Sequence, residues 1–149
     1  MSLIPVGSDV IVRIDRVYAT MEKAEVTVVA VEGRPTALQF AANPFRGSIR
    51  LQDVRSFDID KATIADHFQS GDIVRAKTIA IGDAKSSFFS TTGADYGVIL
   101  AKGHDGEFLV PVDQSHMRTP DNSIVFKRKV AKPVWLTTGD APPETTLDN

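Results

Sequence analysis

In DIVRAKTIAI, from Asp72 to Ile81, Val74 and Ala76 share one parity and Ile79 and Ile81 the other. An extended chain sends alternate side chains to opposite faces, so one strand keeps both pairs inside only by carrying an extra residue between them. Such a bulge bends a sheet, and small barrels need bulges to curl. Further segments supply the rest of the sheet. DVIVRIDRV (Asp9 to Val17) sets Val10, Val12 and Ile14 against Arg13 and Asp15. KAEVTVVAVEG (Lys23 to Gly33) sets Ala24, Val26, Val28 and Ala30 against Glu25 and Thr27 before turning wholly apolar. The short ATME connection pairs these two strands. RGSIRL is extended, and SSFFSTT follows a turn at Gly82 and Asp83 as the fifth strand.

Two connections complete this unit. GRPTALQFAANPF, broken by Gly33, Pro35, Asn43 and Pro44, reads as a loop longer than a hairpin needs. DVRSFDIDKATIADHFQSG predicts a short helix with Asp60 as N-cap, Ile59 and Ile64 as a hydrophobic staple and Gly71 at its exit. Ile64 and Phe68, four residues apart, would cover one end of the core. Five strands with a short helix between the third and fourth outline a Greek-key barrel of the OB type, so the fold class is mainly β. Downstream, YGVILAKGHDGEFLVPV reads as a hairpin turning at His104 to Gly106, DQSHMRTPDN as a polar loop and SIVFKRKV as a strand. This second unit, about forty residues, is too small to stand without a metal, disulfides or a neighbour to pack on. LTTGDAPPETTLDN has little to bury and predicts disorder. The expected division is 7–92 for the barrel, 93–135 for the second unit and 136–149 for the tail.

Charge and composition narrow the chemistry. Lys and Arg number 17 against 19 Asp and Glu, a net charge of -2, so any contact with nucleic acid must be local. The chain has no cysteine, which excludes disulfides, thiolate metal sites and a cysteine nucleophile. No run approaches the roughly 20 apolar residues of a membrane span, and MSLIPVGSDV lacks a signal-peptide layout. His67, His104 and His116 are scattered, and His104, Asp105 and His116 make a metal site only if the hairpin turn meets the later loop. FDIDKATIAD has spaced carboxylates without the glycine of a calcium loop. No phosphate-binding glycine loop or nucleophile elbow is present, so neither an enzyme nor a cofactor is expected.

RGSIRLQDVRSFDIDKATIADHFQSGDIVRAKTIAIGDAKSSFFSTTGADYGVILAKG, followed by FKRKVAKP, resembles the Csl-type cap subunits of the RNA exosome. RGSIR, QDVRS, GDIVRAK and the IGDA turn carry the resemblance together, over roughly Gly7 to Trp135. It implies an S1 domain, itself an OB barrel, followed by a zinc-ribbon-like module. It also implies a non-catalytic protein seated on a ring of RNase-PH-like subunits beside other cap subunits. Such a protein helps form the RNA channel entrance and supports RNA processing and 3'-to-5' degradation. Weak single-stranded RNA binding and a home in the nucleus, nucleolus and cytoplasm follow from it, with no DNA or membrane partner. Two departures stand out. The family carries a docking domain before the barrel, whereas here the barrel follows MSLIPVG at once, as in a fragment or a form lacking that element. The second module has Ser115 and Thr119 where zinc-binding members have cysteines. Hydroxyls do not replace thiolates as structural zinc ligands, so the module must be held by packing, for which Val98, Leu100, Leu109, Val125 and Trp135 are the candidates, together with contact to the barrel.

S1 barrels read RNA on outward aromatics and a histidine, because bases stack on flat rings. The resemblance puts Arg50 at the histidine position and Glu25 at an aromatic one. Arg50 then either faces RNA or forms an ion pair with Glu25 or with a partner subunit. Arg46 and Arg55 flank it among Asp53 and Asp58, as a mixed solvated rim or a protein interface. Arg75 and Lys77, opposite in parity to Val74 and Ala76, point outward as phosphate candidates. Phe40 and Phe45 plug the barrel end or pack on the ring, and of Phe88 and Phe89 the outer one is an interface candidate. Lys127, Arg128, Lys129 and Lys132 form the densest basic cluster, read either as an RNA contact or as a solvated edge. A free-standing S1 protein of translation or RNA chaperoning, and a scaffold that never touches RNA, are the alternatives.

Overall fold

The computed structural model describes residues 6–31, 46–55, 63–81 and 86–131. Phe40, Phe45, Asp60, Lys132, Trp135 and the tail lie outside the described residues. Strands β1 (Asp9–Tyr18), β2 (Lys23–Val31), β3 (Arg46–Arg50), β4 (Ile73–Ile81) and β5 (Ser86–Ser90) pair in the cyclic order β1-β2-β3-β5-β4-β1. The circuit closes because β1 bonds β4 on its other edge. Its one parallel step, β3 with β5, sets Gly47 against Ser87 and Ser48 against Phe88. This is the five-stranded barrel that the parity of the strands predicts.

The expected bulge is present. The β4–β5 register steps from Thr78 opposite Phe89 to Ala80 opposite Phe88, leaving Ile79 as the extra residue. Thr78, fully buried, extends the inward row of Val74 and Ala76 up to that point. Two further slips leave Asp15 in β1 and Val29 in β2 unmatched. Past Asp15 the inward row passes from Ile14 to Val17, which packs on the core. Val10, Val12, Ile14, Val26, Val28, Ile49, Val74 and Phe89 fill the interior. At roughly 1.5 to 3 kcal/mol for each large side chain, this burial is the main stabilising term.

Among the described residues, the helix expected before β4 shows a single 3-10 turn, Ile64–Asp66, entered from extended Thr63 with no side-chain cap. The reason lies in Gln69. Its backbone N–H donates to the Asp72 carboxylate at 2.9 Å, and its side-chain amide takes the Ala65 carbonyl that a longer helix would use. Ile64 and Phe68 nevertheless join the core as expected, and Gly71 turns the chain into β4 with φ of +92°.

Strand β6 (Gly97–Leu100) adds to β4, so the first arm of the expected hairpin extends the barrel sheet. The hairpin turn itself is formed, with Gly103 N–H donating to the Glu107 carbonyl and Gly106 at φ of +81°. Strands β7 (Val110–Asp113), β8 (His116–Arg118) and β9 (Val125–Lys127) make a separate antiparallel sheet. β8 lies in what the sequence presents as a polar loop, and its one inward residue, Met117, is buried with Leu109 and Val130 in the core that also holds Val74 and Phe89. Val98 and Leu109 pack as expected, but Leu100, set beyond a register slip that leaves Ile99 unmatched, and Val125, opposite in parity to core-packed Phe126, are exposed.

Beside this shared core, the junction of the two parts carries a buried polar pair. Arg128 Nε donates to Asp72 Oδ2 at 2.8 Å, with the two side chains 7% and 3% exposed. Burial pushes the Asp72 carboxyl up, and the Arg128 charge and the Gln69 N–H pull it back. Around this pair Lys129 N–H donates to the His67 carbonyl, Val98 N–H to that of Lys129 and Ala131 N–H to that of Val98.

Removing one partner leaves a buried charge, so Arg128→Met should destabilise the chain by about 3 to 5 kcal/mol in urea unfolding. Asp72→Asn added to it keeps an acceptor for Gln69 and should recover most of that loss. Gly47→Ala tests the closure, since a Cβ there would collide with the Ser87 carbonyl oxygen and stand 2.6 Å from the Phe89 ring. A loss of about 1 to 3 kcal/mol or more is expected, read as a lower midpoint of thermal unfolding.

Candidate nucleic-acid interface

The register of β1, β2 and β3 puts Tyr18 opposite Lys23 and Lys23 opposite Arg50. The Lys23 ammonium stands 5.7 Å from the Tyr18 ring centre, and the Arg50 guanidinium lies 4.6 Å from that of Phe88 on β5. Tyr18, Lys23, Arg50 and Phe88 thus form a row across the outside of the barrel, ring and cation at either end. Phe89, the other member of the pair, is fully buried. Flat rings and a guanidinium plane are surfaces on which bases stack.

Arg50 does not pair with Glu25. The register sets Glu25 opposite Ser48, where it accepts from the Tyr18 hydroxyl at 3.3 Å. Arg50 instead donates to Asp53 at 2.8 Å, because the 3-10 turn Leu51–Asp53 folds that carboxylate back beside it. The Arg50 side chain remains 40% exposed, so the pair is solvent-screened and leaves the outer face of the guanidinium open. Arg46 is exposed at the start of the same strand, opposite Thr27.

Arg75 and Lys77 belong to a second ring-and-cation group that sequence reasoning missed. Both approach the Tyr96 ring, at 5.3 and 5.6 Å. The Tyr96 hydroxyl donates to Asp9 at 2.6 Å, and burial together with that carboxylate pushes the phenol up to about 12. Arg75 also reaches Asp9, at 3.4 Å, and the Asp95 carbonyl. Nothing in the local pattern marks Tyr96, which comes to this place only when β6 joins β4.

The basic cluster is divided by the fold. Lys127 is exposed, Arg128 is buried against Asp72, and the Lys129 ammonium donates to the carbonyls of Gly93 at 3.1 Å and Tyr96 at 2.6 Å. Arg128 is therefore a junction residue and not part of a solvated edge. Burial pushes the Lys129 pKa down to about 8. Arg55 is half-buried near His67.

The histidines stay apart in role. His67 Nδ1 donates to the Thr63 carbonyl at 2.6 Å, and burial lowers its pKa. His104 meets Phe126 edge-on at 5.3 Å, and His116 pairs with Asp113 at 2.9 Å. Among the described residues no three His, Cys, Asp or Glu side chains gather as a metal site. The zinc of a ribbon does not fit here either. The Thr119 hydroxyl donates to Asp121 at 2.7 Å and accepts from the N–H groups of Ser123 and Ile124, so a hydrogen-bonded turn takes the place of a metal knuckle. Hydrogen bonds from the Ser123 and Thr119 hydroxyls draw the Asp121 pKa down to about 2.

Two of these groups titrate at alkaline pH with opposite effect. Unfolded Lys129 holds its proton up to about 10.5 and folded Lys129 only to about 8, so the cost of burying the charge fades as pH rises between those values. Tyr96 acts the other way between 10.0 and about 12, where the folded form keeps a proton that the unfolded form has lost. The thermal midpoint should climb from pH 8 towards 10 and fall beyond it. In Lys129→Met the climb should disappear.

A model of the family described as exosome component EXOSC1/CSL4 matches residues 36–81. The chain is 38% identical over 130 residues to the exosome complex component csl4 of Schizosaccharomyces pombe, covering 87% of this chain and 67% of that protein. It is 41% identical to the mouse CSL4 component and 42% to the human one, over 91 residues that make up 60% of this chain and 47% of each relative. The chain thus spans about two thirds of the yeast protein and just under half of the mammalian ones. With a closed five-stranded barrel and identity sustained along most of its length, the chain belongs to the exosome component EXOSC1/CSL4 family.

Proposed function

We propose that this chain serves as a non-catalytic cap subunit of the exosome. It docks on the RNase-PH-like ring beside other cap subunits, helps form the RNA entrance and guides single-stranded RNA towards processing and 3'-to-5' degradation by other subunits. The nucleus, the nucleolus and the cytoplasm are its places of work. The observation that carries this reading is the outward row of Tyr18, Lys23, Arg50 and Phe88 on a barrel of this family. Relatives named as exosome components support the assembly, and so does the apolar surface of the C-terminal part. Ile99, Leu100, Phe108, Val112, Ile124 and Val125 stand exposed there, as side chains do that meet a protein partner. Glu25 and Asp53 beside the row keep RNA binding weak, which suits guidance within an assembly better than a free-standing RNA-binding protein.

The test is co-purification with ring subunits, followed by RNA crosslinking of the assembled complex. The chain should enter the complex and show no hydrolysis of its own. Phe88→Ala should weaken binding of an oligouridine by about 1 to 3 kcal/mol, and Arg50→Glu should reduce crosslinks to this subunit. Ring association with crosslinks unchanged in both variants would leave a scaffold without RNA contact. RNase activity abolished by a point mutation in this chain would overturn the reading.

A further inference from the structure

A cleft of about 440 Å³ opens where the barrel meets the C-terminal part. The barrel side contributes Arg55, His67 and Thr92, and the other side contributes Ser115, His116 and Lys127. Its volume suits one nucleotide-sized group. Arg128 and Lys129 also stand in the wall, and Asp66 is the one carboxylate in the lining among the described residues. Asp72 offsets Arg128 from behind, and Asp113 holds His116 Nδ1 at 2.9 Å. Lys127 and Lys129 together still outweigh Asp66, and the hydroxyls of Thr92 and Ser115 add neutral donors. A concave site with excess cations, hydroxyl donors and imidazole edges is made for an oxyanion with several acceptor oxygens.

We infer that this cleft binds a phosphate of single-stranded RNA whose neighbouring base stacks on the Arg50 and Phe88 platform. The inference rests on the RNA-guiding reading given above. Its carrying observation is that the same two segments lead from platform to cleft. The exit of β3 bears Arg50 and then Arg55, and the exit of β5 bears Phe88 and then Thr92. The two exits are tied together, with Thr91 N–H and the Ser90 hydroxyl both donating to the Asp53 carbonyl. Four residues of extended chain from Phe88 to Thr92 span roughly 13 Å, a reach that a short stretch of RNA covers. A phosphorylated peptide would satisfy the cleft but leave the stacking rings without a use, so RNA is the better match.

The test uses this chain with two probes. Inorganic phosphate, titrated against chloride at matched ionic strength, should shift the ring signals of His67 and His116 in NMR, and Lys127→Glu should abolish the shift. Lys127 is exposed, so this variant keeps the fold, which circular dichroism checks. With a ten-nucleotide oligouridine, Lys127→Glu and Arg55→Gln should each flatten the dependence of log affinity on log salt by about 0.7 per lost phosphate contact. Absence of any phosphate shift overturns the site, even where Arg50→Glu still weakens RNA and the guiding reading survives. Phosphate shifts with an unchanged salt slope, together with tighter binding of a phosphoserine peptide, overturn RNA as the occupant. Failure of the unaltered chain to bind oligouridine at all, alone or in the assembled ring, removes the guiding reading itself and with it the RNA assignment.

Discussion

The buried pair of Asp72 and Arg128 organises the molecule around it. Asp72 stands at the bend into β4, where one carboxylate oxygen accepts both the Gln69 N–H and Arg128 Nε. It thereby stops the preceding turn from growing into a helix and draws the segment after β9 against the barrel. Once Arg128 is seated, Lys129 meets His67, Gly93 and Tyr96, and Val130 lies beside Val98. A buried ion pair contributes little net stability relative to a well-packed apolar pair, because desolvation offsets its attraction. Its effect here is to select one arrangement, since either charge is costly anywhere else in the core. The cleft between barrel and C-terminal part exists because that arrangement is held.

The barrel depends on a second constraint, closure through three unmatched residues and one glycine. Asp15, Val29 and Ile79 add the curvature, and Gly47 lets β3 lie close against Ser87 and Phe89 of β5. Closure decides what remains outside. β3 and β5 are distant in sequence but adjacent in the sheet, so Arg50 covers Phe88, and the rings that could take bases come from different strands.

Much of this was legible along the chain because it depends on near neighbours. The parity of Val74 and Ala76 against Ile79 and Ile81 announced the bulge, and the adjacency of Phe88 and Phe89 required one ring on each face. Gly71 was recognisable as a turn. What failed were features that depend on a distant group. The helix signal around Ile64 and Phe68 was sound as periodicity, but the Asp72 carboxylate captured the donor that a second turn needs. Glu25 on the neighbouring strand is one of the partners that the sequence offers Arg50, whereas the actual register and a tight turn deliver Asp53. β8 went unrecognised because one buried methionine among polar residues carries no periodic signal.

By itself the sequence determined the five barrel strands, their inward faces, the absence of thiolate metal chemistry and the family. These follow from backbone sterics with a period of two and from side-chain chemistry read residue by residue. The tertiary structure alone decided that Arg128 is internal and Lys127 external, and that Tyr96 gathers Arg75 and Lys77. It also brought Arg55 and His116 to one cleft. The physical reason is distance along the chain. Asp72 and Arg128 are separated by 56 positions, and no local pattern records which of several arginines will meet a carboxylate that burial has left in need of a charge.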